Sequence, residues 1–181
     1  MANNQQKVLH KEQIEAFYHD QFVERQVSDF LTLLGPSIDP AIDTIVDVGG
    51  GCGFFARCLK ERRGFRVRVL DTDSDSIAAC IGAGVEARRD DALDPHLVGD
   101  ESVVCFNLIL HHLVGHSENE TRRLQSRALA AWHSKARAVF VNEYIYESYV
   151  ATDLSAWLIF RITSSSLLSG LASAIARIFP S

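Results

Sequence analysis

Clustered positive charge is what this chain most plainly lacks. Eighteen Lys and Arg stand against 23 Asp and Glu, for a net charge of −5. A nucleic-acid-binding surface needs a stripe of Lys and Arg, and the densest basic stretch is only Arg62, Arg63, Arg66 and Arg68. We expect those four to sit at a solvated helix end and strand edge, so nucleic acid is excluded as a partner. Cysteine is also sparse. Cys52, Cys58, Cys80 and Cys105 form no C-x-x-C pair and have no histidine at metal spacing, which argues against a disulfide framework or a metal centre and for reduced, mostly buried thiols. The N-terminus, Met-Ala-Asn-Asn-Gln-Gln-Lys, has no apolar core of the signal-peptide kind, so a cytoplasmic location is expected. The sequence has no internal repeat and no low-complexity linker.

What is present is ordinary in amount and distinctive in order. The 181 residues, 47% hydrophobic and 23% charged, suit one globular domain with a real core. Three segments are expected. Residues 1–43 form a helical N-terminal segment, with apolar residues recurring at Ile14, Phe17, Tyr18, Phe22, Val27, Phe30, Leu31 and Leu34. Gly35-Pro36 and Asp39-Pro40 then break it. Residues 44–143 alternate between strand and helix: strand 44–48, helix 53–62, strand 66–70, helix 74–82, a short strand near 85–87, strand 102–108, helix 118–133 and strand 137–142. Asp73, Ser74 and Asp75 are candidate N-caps for the second helix, and Gly82 or Gly84 stops it. This alternation predicts an α/β fold with a doubly wound, mostly parallel sheet. Residues 144–181 form a third, helical segment.

Residues 44–53 carry the functional signal: Thr-Ile-Val-Asp-Val-Gly-Gly-Gly-Cys-Gly. A β-branched run breaks into Gly49, Gly50, Gly51 and Gly53, and a glycine loop between strand and helix lets a nucleotide-like ligand lie against bare backbone. Two cofactor patterns overlap here. Gly51-Cys-Gly53-Phe-Phe-Ala56 fits the dinucleotide fingerprint, with Asp71 about 20 residues further on. Asp47-x-Gly49-x-Gly51-x-Gly53 resembles motif I of the class I S-adenosylmethionine-dependent methyltransferases. The acidic residue just before the loop belongs to that second family and suits the ammonium and sulfonium of S-adenosylmethionine.

The resemblance covers about residues 44 to 143 and implies roles residue by residue. Asp71, with Thr72 beside it, matches the acid that accepts from the ribose hydroxyls. Asp91-Ala92 matches the pair whose carboxylate meets the adenine amino group, with Asp90 close behind. Backbone carbonyls around Phe106 and Asn107 would meet the cofactor's amino group. Leu110-His-His-Leu113 is similar to a segment that follows motif IV in many small-molecule methyltransferases, although Ser102 replaces the Asp that often starts that strand. His111 is a candidate general base, as in plant-type O-methyltransferases with a similar motif I, and Glu143 and Tyr144 are candidates to line an acceptor pocket. The implied activity is methyl transfer from S-adenosylmethionine to an oxygen, nitrogen or carbon of a small molecule. An NAD-binding oxidoreductase and a non-catalytic S-adenosylmethionine-binding module are the alternatives.

The last segment departs from that family. Members follow the fifth strand with a helix and an antiparallel strand pair, whereas residues 144–181 show no alternation of a terminal β-hairpin. They carry an apolar stripe at Leu167, Leu168, Leu171, Ala174, Ile175 and Ile178. A truncated chain, a homodimer contact and a peripheral contact with a lipid surface are the three explanations. Arg161 and the neighbouring serines interrupt the apolar run, so no transmembrane span is expected.

Overall fold

The computed structural model describes residues 20–143. Its elements in order are α1 (Asp20–Leu33), a 3-10 turn (Gly35–Ser37), β1 (Thr44–Val48), α2 (Phe54–Arg63), β2 (Arg66–Asp71), α3 (Ser74–Gly82) and β3 (Glu86–Arg89). They continue with β4 (Glu101–Asn107), a second 3-10 turn (Leu110–His112), α4 (Glu118–Ala130) and β5 (Ala138–Asn142). The expected helices before residue 20 and after residue 143, Tyr144, and the contacts proposed for the C-terminal stripe lie outside the described residues.

All four strand pairings are parallel, in the order β3-β2-β1-β4-β5. The chain builds outward from β1 to one edge and then returns to build toward the other, so the order reverses between β1 and β4. In open parallel sheets a ligand crevice forms at such a reversal, outside the carboxyl ends of the strands.

Period-two alternation sends side chains to two cores. Ile45, Val67, Val69, Val103 and Cys105 face one side, where Val27 and Phe30 of α1 and Phe55 and Leu59 of α2 cover them. Val46, Val48, Leu70, Val104 and Phe106 face the other side and meet Ala128 of α4 and Trp132. Both faces are therefore covered, which is why β1 is buried along its whole length. Phe30 stands edge-on to Phe55 and Phe140, with ring centroids 5.6 and 5.3 Å away. Each such pair contributes about 0.5–1.5 kcal/mol beyond area burial.

Element boundaries shift slightly from expectation. The third strand begins at Glu86 rather than Val85, and the fourth ends at Asn107. Leu108 leaves the sheet with a positive φ of 54°. Helix α4 stops at Ala130 rather than residue 133, because Trp132 turns into the core. The cap of α3 is Asp73, whose side chain accepts from the Ser76 amide. Gly82 is still helical, and Gly84, at φ +73°, makes the turn.

The basic cluster is a correction. Arg62 does sit exposed at a helix end, paired with Glu24. Arg68 instead is buried at the base of the sheet, bonded to Glu86 and, at 2.9 and 3.1 Å, to both oxygens of Asp100. These acids face Arg68 because β2 pairs with β3 and Asp100 immediately precedes β4. The cation is thus held inside by hydrogen-bonded carboxylates rather than by solvent.

Candidate functional site

The glycine loop leaves β1 through three left-handed residues, Gly49, Gly51 and Gly53, at φ of +68°, +54° and +74°. L-residues with a Cβ are disfavoured there. The protein side of the loop is packed closely. A Cβ on Gly49 would lie 2.4 Å from Ile109 Cδ1, one on Gly50 2.5 Å from Asp47 Oδ2, and one on Gly53 2.7 Å from Cys80 Sγ. At these three positions the missing side chain lets the loop press onto its own core. The expectation that glycine serves ligand approach is therefore incomplete: β1, α3 and the β4 exit claim that space first.

Hydrogen bonds fix the loop against β2. The Gly49 amide donates to the Leu70 carbonyl at 2.7 Å, and the Gly51 amide donates to Asp71 Oδ2 at 2.9 Å. The other Asp71 oxygen accepts from the Asp73 amide at 2.9 Å. Asp71 is only partly buried, and each carboxylate oxygen retains acceptor capacity beyond one amide. Thr72 follows it, also partly buried.

Asp47 lies beneath the loop, 1% exposed. Asn107, at the end of the neighbouring β4, donates to its Oδ1 at 3.3 Å. Burial, the dominant cause, pushes the Asp47 carboxyl up to about 7; the Asn107 hydrogen bond opposes the shift and the charge of Asp71 adds to it. The Asn107 Oδ1 atom is buried without a hydrogen-bond partner. An acceptor left unpaired beside a carboxylate raised by burial suits a cationic donor ligand, which would satisfy the one and stabilise the ionised form of the other. Phe106, the preceding residue, is fully buried in the second core.

After β3 the two aspartates separate in role. Asp90 is buried and saturated: it accepts from Arg88 at 2.8 Å, from the His96 amide at 3.0 Å and from the Asp91 amide at 3.0 Å, and meets His96 Nδ1 at 3.0 Å. Burial opposes these bonds, yet together they keep its carboxyl below the usual range. Asp91 is exposed, with one oxygen accepting from the Leu93 amide, and Ala92 is partly buried against the second core. Asp90 thus organises the loop and leaves Asp91 as the outward carboxylate.

After β4 the second 3-10 turn carries His111, which is exposed. Glu143, just past β5, accepts from the Leu110 amide at 2.7 Å and pairs through its other oxygen with His111 Nδ1 at 3.0 Å. The turn is anchored by Leu108, whose amide donates to the Asn142 carbonyl at 2.8 Å, and by Gln125 of α4, which donates to the Leu110 carbonyl at 2.9 Å. The His111 and His112 rings lie with centroids 4.2 Å apart. Partial desolvation, then the neighbouring His111, lower the His112 pKa.

Asp47, Gly49, Gly50, Gly51, Gly53, Asp71, Thr72, Phe106 and Asn107 thus lie at or just past the carboxyl ends of β1, β2 and β4, the three adjacent strands at the crevice. Asp91 and Ala92 follow β3, and His111 the β4 exit. Three contacts had no signal in local sequence: Cys80 under Gly53, Asn107 on Asp47, and Glu143 on His111, which link residues 27, 60 and 32 positions apart. Among the described residues no group of three His, Cys, Asp or Glu could hold a metal ion, and no helix is long and apolar enough to cross a membrane. All four cysteines are free; Cys80 and Cys105 are buried, Cys52 and Cys58 partly so.

Comparison with known proteins finds likenesses in family, sequence and fold. The family model described as Methionine biosynthesis protein MetW matches residues 29–129. A trans-aconitate 2-methyltransferase of Mycobacterium tuberculosis (strain ATCC 25177 / H37Ra) is 32% identical over 89 residues, which cover 49% of this chain and 34% of that protein. The match spans only about a third of the curated relative's length. Among solved structures, Streptomyces venezuelae DesVI has a TM-score of 0.60 at 18% identity, covering 80% of this chain and 61% of that one. The S-adenosylmethionine-bound CalS10, an amino pentose methyltransferase from Micromonospora echinaspora, has a TM-score of 0.60 at 17% identity, covering 81% and 64%. These likenesses show a shared fold.

Proposed function

We propose, for a chain that belongs to the MetW family and has the Rossmann-like fold of class I methyltransferases, that it binds S-adenosylmethionine in the crevice beside β1 and passes its methyl group to a small-molecule acceptor. S-adenosylhomocysteine would be the product left behind. The observation that carries this is the juxtaposition of Asp47 and the unpaired Asn107 Oδ1 under a glycine loop whose Gly51 amide is held by Asp71. The cationic ring nitrogen of an oxidised nicotinamide dinucleotide bears no proton to donate there, whereas S-adenosylmethionine has an ammonium that both donates and carries charge, beside its sulfonium.

In this reading Asp71, with Thr72, holds the ribose, and Asp91 with Ala92 holds the adenine. Gly49, Gly50, Gly51 and Gly53 shape the loop, and the carbonyls of Phe106 and Asn107 meet the ammonium group. The cofactor supplies an electrophilic methyl group; the chain's own residues bind, orient and exclude water. In-line positioning of donor and acceptor provides most of what such a transfer needs, and His111 is the candidate base for an acceptor that must lose a proton. We place this activity in the cytoplasm, in keeping with four free cysteines.

Thermal unfolding with added S-adenosylhomocysteine tests the proposal. Binding to the native state alone adds RT ln(1 + [L]/Kd), about 2.7 kcal/mol at a hundredfold excess over Kd, so the melting temperature should rise. Asp71→Ala should weaken binding by about 1.5–3 kcal/mol, the range for hydrogen bonds to a charged group. Stabilisation by NAD with none by S-adenosylhomocysteine would overturn the assignment.

A further inference from the structure

Among the described residues only Leu108 and Ser134 combine a side chain with a left-handed backbone, at φ of +54° and +61°. The conformation is disfavoured for leucine, whose Cβ crowds the following carbonyl oxygen. Packing does not account for it, because Leu108 is only partly buried and belongs to neither core. A strained residue persists where its surroundings hold it, and such residues gather at functional sites. Leu108 is held by β5, through the 2.8 Å bond from its amide to the Asn142 carbonyl.

The strain has a geometric result. Side chains along a strand alternate between its two faces. In β4, Val103 and Cys105 lie in the first core, Val104 and Phe106 in the second. Asn107 keeps that order and reaches Asp47 at 3.3 Å, on the face that Ile45 of β1 also takes. Continued alternation would send Ile109 to the first core as well. Ile109 instead lies in the second core, where it fills the space that a Cβ on Gly49 would need. The one left-handed residue between them inverts the alternation. Asn107 and Ile109 therefore support the start of the glycine loop from opposite faces of the sheet, the first through Asp47 and the second under Gly49. A regular strand end would leave that support on one face only. We propose that Leu108 is a positioning residue for the cofactor: its left-handed backbone sets Asn107 and Ile109 on the two faces and so holds the glycine loop in its binding shape. This rests on the S-adenosylmethionine reading.

Two substitutions separate the backbone of Leu108 from its side chain. Asparagine adopts the left-handed conformation readily but carries no apolar side chain. Valine keeps an apolar side chain but is β-branched, and for such residues that conformation is a severe outlier. Leu108→Gly is a third variant, free of the steric conflict. Each is made in the full chain, checked for folding by its thermal melt, and titrated with S-adenosylhomocysteine by calorimetry. Leu108→Asn and Leu108→Gly should bind within about twofold of wild type, and Leu108→Val at least about tenfold more weakly, a difference of about 1.4 kcal/mol. Amide hydrogen exchange reads the turn with no ligand present. The residue-108 amide should stay protected in the Asn and Gly variants and exchange faster in Leu108→Val. Weak binding by a folded Leu108→Asn with normal binding by Leu108→Val would assign the effect to the side chain and overturn the proposal. So would equal affinity in all four proteins, the outcome expected if the strain affects only the turn itself. If Leu108→Val does not fold, retained affinity in Leu108→Asn supports the backbone role and lost affinity rejects it. A wild type that binds no S-adenosylhomocysteine would count against the cofactor assignment, while the exchange pattern reports on Leu108 independently.

Discussion

Asp47 carries a burden that the loop above it does not relieve. Burial holds its carboxyl at about 7 against an ordinary value of 3.8, so the folded chain binds a proton that the unfolded chain has released across that interval. Stability therefore falls as pH rises from about 4 to 7, and above 7 the full cost is present. At 1.36 kcal/mol per pKa unit that cost reaches up to about 4 kcal/mol. Asp47→Asn should accordingly be more stable than wild type in urea unfolding at pH 8, with the gain vanishing toward pH 4, while its affinity for S-adenosylhomocysteine drops. An equal difference between the two proteins at both pH values would mean that Asp47 is not the group responsible. Sequence showed this aspartate as an acid before a glycine loop, but not its confinement, because Asn107 reaches it only through the folded sheet.

The loop and the helix behind it form the element where sequence was most legible. A β-branched run, four glycines and a helix are local facts, and the structure keeps β1 at residues 44–48 and starts α2 at Phe54. The Asp73 cap was equally local. What stayed hidden was pairing at a distance: Arg68 looked solvated until Asp100, 32 positions on, enclosed it. Gly53 is another such case. It is the left-handed N-cap of α2, and Cys80 of α3 closes off the space of its missing side chain. Gly53→Ala should destabilise through both effects, about 1–2 kcal/mol from the backbone conformation and at least about 1 kcal/mol more from overpacking. In a Cys80→Ala background only the backbone part should remain, so a double-mutant cycle in urea should show coupling. An identical penalty in both backgrounds would mean that Cys80 does not limit the loop.

Across the described domain, stability is graded from the centre of the sheet outward. β1 and β4 each pair on both sides and are buried on both faces, whereas β3 and β5 are its edges. Amide hydrogen exchange should be slowest in β1 and β4 and faster in β3 and β5; edge strands exchanging as slowly as β1 would contradict that gradient. The all-parallel pairing also bears on how the chain reaches this state. Ile45 faces Val67, 22 positions on, across one edge of β1 and Val103, 58 positions on, across the other. Closing the longer loop costs more chain entropy, by about 0.6 kcal/mol for each doubling of length, and contacts so distant in sequence slow folding. The half built from β1, β2 and β3 is therefore favoured to assemble first. Until β4 arrives, that intermediate shows an open row of backbone donors and acceptors along its most hydrophobic strand, the kind of edge that recruits other chains. The strand that later anchors the cofactor crevice is thus the one most exposed to misassociation while the domain is forming.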